Sequence, residues 1–205
     1  MSRVVHAIEQ ESYAILRSRV ELAGLPPLAG LAPLSRAVTE RVVHASADLS
    51  YVQDLVLDEH ALQAGRRALA GGAPVVADVQ MVAAGVTTVD ALCRVRQAKA
   101  TGGLTRSAAA VRLAYAEVGP GAVWVVGCAP TALFELIALG VDPALVVGLP
   151  VGFVGAAESK AALRESGLPA VSNVSEKGGS AVAAAAVNAL LYSPAAPVQA
   201  SSEEP

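Results

Sequence analysis

From Pro74 onward the chain alternates short runs of apolar and β-branched residues with stretches of helical spacing, without an internal sequence repeat. The runs are Pro74 to Ala77, about Val89 to Cys93, Ala122 to Val126, Leu145 to Gly148 and Ala170 to Asn173. Between or after them lie helical stretches from Thr105 to Glu117, Pro130 to Leu139, Ala156 to Ser166 and Gly179 to Tyr192. Such alternation predicts βα units whose strands run parallel, because each crossover helix returns the chain to the same end of the sheet. Trp124-Val125-Val126 and Leu145-Val146-Val147 are unbroken apolar runs, as expected of strands covered on both faces. The expected fold class is α/β, a three-layer α/β/α arrangement with a mainly parallel sheet of about five strands.

Helical segments precede this region. Val4 to Leu22 places Val5, Ile8, Tyr13, Ile15, Leu16 and Val20 at roughly helical spacing and stops before Pro26-Pro27. Ser35 is the expected N-cap of a second helix running to about Ser46, and Asp58 that of a third, His60 to Leu69, ending at Gly71-Gly72. A single domain is expected over residues 1–192, since no central linker interrupts the pattern. The tail from Ser193 to Pro205 combines Pro, Ala, Ser and Glu and is expected to be disordered.

Hydrophobic residues make up 54% of the 205 and aromatic ones only 3%, so Ala, Val and Leu must fill the interior and backbones must approach closely. Mean hydropathy is +0.51, yet the uncharged span Gly178 to Ser202 contains Asn188 and is broken by Pro194 and Pro197. A bilayer core needs roughly 20 strongly apolar residues in a row, so no membrane association is expected. A net charge of −3 without a Lys/Arg cluster argues against nucleic acid as a partner. Cys93 and Cys128 make neither a CxxC pair nor a disulfide framework, and no secretory signal opens the chain; a cytoplasmic location is expected.

In open parallel sheets ligands bind outside the carboxyl ends of the strands, where loops enter helix N-termini. Thr105 before Arg106, Pro130-Thr131 and Gly178-Gly179-Ser180 each open a predicted helix there and are places where a carboxylate can be held, or ordinary caps. Arg106, at a helix start, is poorly placed for the helix dipole, which hints at an anionic partner. His44 stands near the end of the second helix, flanked by Val42, Val43 and Ala45. A lone helical histidine is usually structural, but imidazole gives and takes protons near neutrality. His6 and His60 are expected on helix surfaces, Glu158 and Lys160 on a solvated helix face, and Asp78 as a cap of the helix after its strand. No metal site is expected, for neither HExxH nor paired Cys/His spacing occurs. Neither a GxGxxG fingerprint nor a GxSxG elbow is present.

Several blocks carry a more specific signal. They are IEQESYAIL (Ile8 to Leu16), RVVHAS (Arg41 to Ser46), APVVADVQMVAAGVT (Ala73 to Thr87), TRSAAA (Thr105 to Ala110), CAPTALF (Cys128 to Phe134), GLPVGFVGAAESK (Gly148 to Lys160) and GGSAVAAAAVNAL (Gly178 to Leu190). Together they resemble the precorrin-8X methylmutases of corrin biosynthesis, over almost the whole chain. The resemblance implies an isomerase that moves a methyl group from C-11 to C-12 of precorrin-8X to give hydrogenobyrinate, with no redox change and no cofactor. A cobalt branch of the family acts on cobalt-precorrin-8 to give cobyrinate. The family's catalytic histidine matches His44, in the role of a general acid that protonates the macrocycle. Its substrate contacts match Ser12, Thr87 and Arg106, and Arg17 and Arg41 lie in matching segments. A homodimer with the cleft near the subunit interface is also implied. The family often has Asn where Cys128 stands, His where Ala84 stands, and a basic residue before the final glycines in place of Ser175-Glu176-Lys177. A non-catalytic tetrapyrrole-binding protein or a nicotinamide-dependent oxidoreductase are the competing readings, the latter disfavoured by the missing glycine fingerprint.

Overall fold

The computed structural model describes residues 7–193. Residues 4–6 of the expected first helix, and all of the expected disordered tail except Ser193, lie outside them. Among the described residues six strands form one sheet: β1 (Leu55–Leu57), β2 (Val75–Ala77), β3 (Ala91–Leu92), β4 (Val123–Val126), β5 (Leu145–Gly148) and β6 (Ala170–Asn173). Their spatial order is β1-β6-β5-β4-β2-β3. Every pairing is parallel except β1 with β6, which sets Val56 opposite Ser172. The expected mainly parallel α/β sheet is present, with β1 added as an antiparallel edge.

The helices are α1 (Ala7–Leu22), α2 (Pro33–Ser46), α3 (Tyr51–Asp54), α4 (Glu59–Ala70), α5 (Gln80–Gly85), α6 (Arg106–Val118), α7 (Pro130–Ala138), α8 (Ala156–Glu165) and α9 (Ser180–Tyr192). Residue alternation along the strands splits the core in two. Val75, Ala77, Val123, Val125, Leu145 and Val147 pack with α2, α4 and α9, whereas Val76, Trp124, Val126 and Val146 pack with α6, α7 and α8. Small side chains let these layers close. A Cβ on Gly127 would stand 2.8 Å from both the Ala183 and Val82 side chains, so the turn after β4 touches α9 with only hydrogen between them. Among the described residues no helix is long and apolar enough to cross a membrane.

Of the two expected caps, one is present and one is not. Asp58 caps α4 as expected, accepting from the His60 N–H. Ser35 does not cap α2, which begins two residues earlier at Pro33, where a missing N–H costs nothing. Its first turn is satisfied by Glu59 of α4, whose carboxylate accepts from the N–H groups of Leu34 at 3.0 Å and Ser35 at 2.8 Å and from the Ser35 hydroxyl at 2.7 Å.

Candidate functional site

His44 lies in the last turn of α2, facing α1. Its Nδ1 is 2.8 Å from Ser12 Oγ, and its ring lies against Tyr13 with centroids 5.2 Å apart. The side chain is exposed, and Nε2 has no partner among the described residues. Beyond His44 the chain turns through Ala47, the one described non-glycine residue with positive φ (53°), which directs Asp48 and Ser50 toward the start of α9.

Arg17 of α1 donates from Nε and Nη2 to the two oxygens of Glu40 at 2.8 and 3.0 Å, and Arg36 adds a third bond at 3.0 Å. Burial alone would raise the Glu40 pKa; the arginine hydrogen bonds outweigh it and hold the carboxyl below its ordinary range. Arg41 donates to Glu9 at 2.7 Å and lies 4.6 Å from the Tyr192 ring centroid. Thr87, in the loop after α5, donates its N–H to Asn188 Oδ1 at 3.3 Å, and its hydroxyl meets the Tyr192 hydroxyl. Asn188 in turn donates to the Gly85 carbonyl at 2.8 Å. Ser12, Arg17, Arg41, His44 and Thr87 are thus gathered along α1, α2 and the end of α9. Arg106 is not among them. It is the exposed first residue of α6, on the opposite face of the sheet, and it carries no partner among the described residues.

The three helix starts fare differently. At α6 the Thr105 hydroxyl accepts from the Ala108 N–H at 3.2 Å and bonds Thr131 of α7 at 2.8 Å. Before α7 the N–H groups of Gly127, Cys128 and Ala129 all donate to the carboxylate of Asp78, at 3.1, 2.9 and 2.9 Å. Asp78 therefore does not serve as a cap for the helix after its own strand. It spans the crevice between β2 and β4, where the connections diverge, and fills the anion position there with the chain's own carboxylate. Burial raises its pKa in spite of these donors. Of these three starts, α9, whose N-cap is Gly179, has neither a side-chain cap nor a substituting carboxylate.

Lys160 overturns its expected place on a solvated face. It is wholly buried, with Nζ donating to the Pro150, Ser175 and Lys177 carbonyls and to Asn173 Oδ1. Burial draws its pKa down to about 8. Asn173 also donates to Asp54 at 2.7 Å, and Asp54 accepts from Ser175 Oγ at 2.7 Å and the Ser175 N–H at 2.8 Å. Glu158, by contrast, is exposed as expected. Sequence reasoning missed Lys160, Asp54, Asn188, Tyr192 and the two glutamates. Asn188, a polar residue inside an Ala/Val helix, was the visible signal for one of them.

A sequence profile described as precorrin-8X methylmutase matches residues 7–193. The chain is 42% identical over 197 residues to the cobalt-precorrin-8 methylmutase of Salmonella typhimurium, covering 90% of this chain and 93% of that protein. It is also 42% identical over 201 residues to the precorrin-8X methylmutase of Pseudomonas aeruginosa, with the same coverage. Among solved structures, the precorrin-8X methyl mutase of Thermus thermophilus superposes with a TM-score of 0.76 at 36% identity, over 91% of this chain and 96% of that one.

Proposed function

The chain belongs to the precorrin-8X methylmutase family, and from that premise we propose that it is an isomerase moving a methyl group from C-11 to C-12 of precorrin-8X, with His44 as general acid. The observation that carries this reading is the setting of the imidazole. Ser12 and Tyr13 hold one side of the ring while Nε2 stays open at an exposed edge. A proton on Nε2 passes to the macrocycle, the methyl group migrates within the resulting electron-poor conjugated system, and the imidazole takes the proton back. Substrate and product are isomers, so atoms and charge balance without an added reagent.

The macrocycle is a flat, largely apolar disc with carboxylates on its rim. Arg106, exposed and without an internal partner, is suited to one of them. Arg17 and Arg41 are already paired with Glu40 and Glu9, so a substrate carboxylate has to compete for them. His44→Ala is expected to lower kcat by roughly 10²- to 10⁴-fold while the protein still folds and binds, whereas Arg106→Ala weakens binding more than His44→Ala does. Following the visible spectrum on mixing with precorrin-8X reads both, and wild-type turnover in His44→Ala refutes the assignment. Cobalt-precorrin-8 is a second candidate substrate, because relatives of equal identity carry each name. A spectral change with the cobalt form alone selects it.

A further inference from the structure

Lys160 carries a charge where packing alone would call for a hydrocarbon. Its neighbours on the same helix stripe, Ala156 and Leu163, are fully buried, as is Lys160 itself. No carboxylate among the described residues touches its ammonium; the charged groups nearest in influence are Asp54 of α3, Arg164 of α8 and Glu176 of the loop before α9. Nζ instead lies 3.2 Å from Pro150 O, 2.9 Å from Asn173 Oδ1, 2.5 Å from Ser175 O and 2.6 Å from Lys177 O. An ammonium has three N–H donors, so four oxygens share them, one from Asn173 at the end of β6 and three from the segments that leave β5 and β6.

A buried charge costs several kcal/mol unless it is fully bonded, and Met would fill the same space without that cost. What the charge adds is fixed geometry. The two segments are also bonded to each other, Gly152 N–H to Glu176 O at 3.1 Å and Gly179 N–H to Leu149 O at 2.9 Å. Lys177 then extends from the same loop to Asp48 at 2.6 Å and Ser50 at 2.6 Å, just past the turn that carries His44. Between the segments and α8, Phe153 and Val154 stand 97% and 89% exposed.

We propose that Lys160 is a positioning residue, whose ammonium locks residues 149–152 and 173–179 into one rim that presents the start of α9 and the Phe153-Val154 tip to the macrocycle bound beside His44. The substrate half of this inference rests on the mutase reading; the locking of the segments does not. In Lys160→Met, amide hydrogen exchange at Gly152 and Gly179 accelerates about tenfold or more while Val125 and Val147 keep their protection. KM for precorrin-8X rises about tenfold with kcat within about threefold. A folded variant with unchanged exchange and KM overturns the proposal, as does a loss of protection that extends equally into β4 and β5.

If Lys160→Met does not fold, the ¹⁵N-lysine signals of the unaltered protein decide. The Lys160 ammonium is expected to be shielded from solvent exchange and to shift when hydrogenobyrinate is added. A fast-exchanging signal, or a shielded one that ignores the bound product, overturns the proposal. Product that does not bind at all counts against the mutase reading, and the locking is then judged by the protection alone.

Discussion

At the scale of single residues, the Ser12 hydroxyl decides which nitrogen of His44 can act. When Nδ1–H donates to the Ser12 hydroxyl, the mobile proton is the one on Nε2, the open nitrogen, so the imidazolium can give it to the macrocycle and the neutral ring left behind can take it back there. Removing that bond in Ser12→Ala frees the ring and mixes the tautomers. A hydrogen bond of about 1–1.5 kcal/mol corresponds to roughly a tenfold loss, so kcat is expected to fall about tenfold with substrate affinity nearly unchanged, and Ser12→Thr to recover most of it. Single-turnover kinetics separate this from a rise in KM alone, which would make Ser12 a substrate contact only. The RVVHAS block singled out His44, whose ring the structure leaves exposed beside Ser12. Lys160 was as legible in principle, since 156, 160 and 163 make a helical stripe, but a lysine beside Glu158 and Ser159 reads as solvated until the loop oxygens are seen. Those oxygens come from other segments, and spacing along one helix does not report them.

At the scale of elements, the long apolar runs and the helices between them could be read directly, whereas short or distantly supported pieces could not. β1 has three residues and exists only because β6 offers an edge, with Leu57 set opposite Val171. The start of α2 depends on Glu59, 24 to 25 residues away, a partner that local cap rules do not reach. Asp78 looked like a local cap for the same reason, and its true donors lie about 50 residues on. The glycines before α9 show what such long-range contact demands. Gly178 has φ of 157°, and a Cβ there would run into the carbonyl oxygens of Leu149 and Pro150, which are backbone and cannot turn aside. Gly178→Ala is therefore expected to destabilise the fold by roughly 1–3 kcal/mol, read as a lower urea midpoint. It should also raise KM, because the rim and the α9 start move together. An unchanged midpoint would mean that the two segments are not in close contact.

At the scale of the whole molecule, the ionisable groups bound stability from both sides of neutrality. Lys177 holds Asp48 low, and the bonds to Glu40, Asp54 and Glu59 outweigh the burial that would raise them, so all four have folded pKa values below the ordinary 3.8 of Asp and 4.5 of Glu. Their contribution is complete above those values and is lost as pH falls through the lower folded ones. Asp78, raised by burial, takes its proton first in the folded state and opposes this loss. On the alkaline side Lys160 falls from 10.5 unfolded to about 8 folded, so above pH 8 the unfolded chain holds more protons and stability rises. Burial has the opposite consequence for acids. Cys93 and Cys128 are raised above 9.0 and Tyr51 from 10.0 to about 12, so each ionises first in the unfolded chain and withdraws stability, the thiols from about pH 9 and Tyr51 from about pH 10. The urea midpoint at fixed ionic strength is therefore expected to climb above pH 8, reach its maximum near pH 9 and then decline. Lys160→Met removes the climb and Tyr51→Phe softens the decline. A midpoint that falls steadily from pH 8 in the unaltered protein would place the Lys160 ammonium in water and take away the rim it is argued to hold.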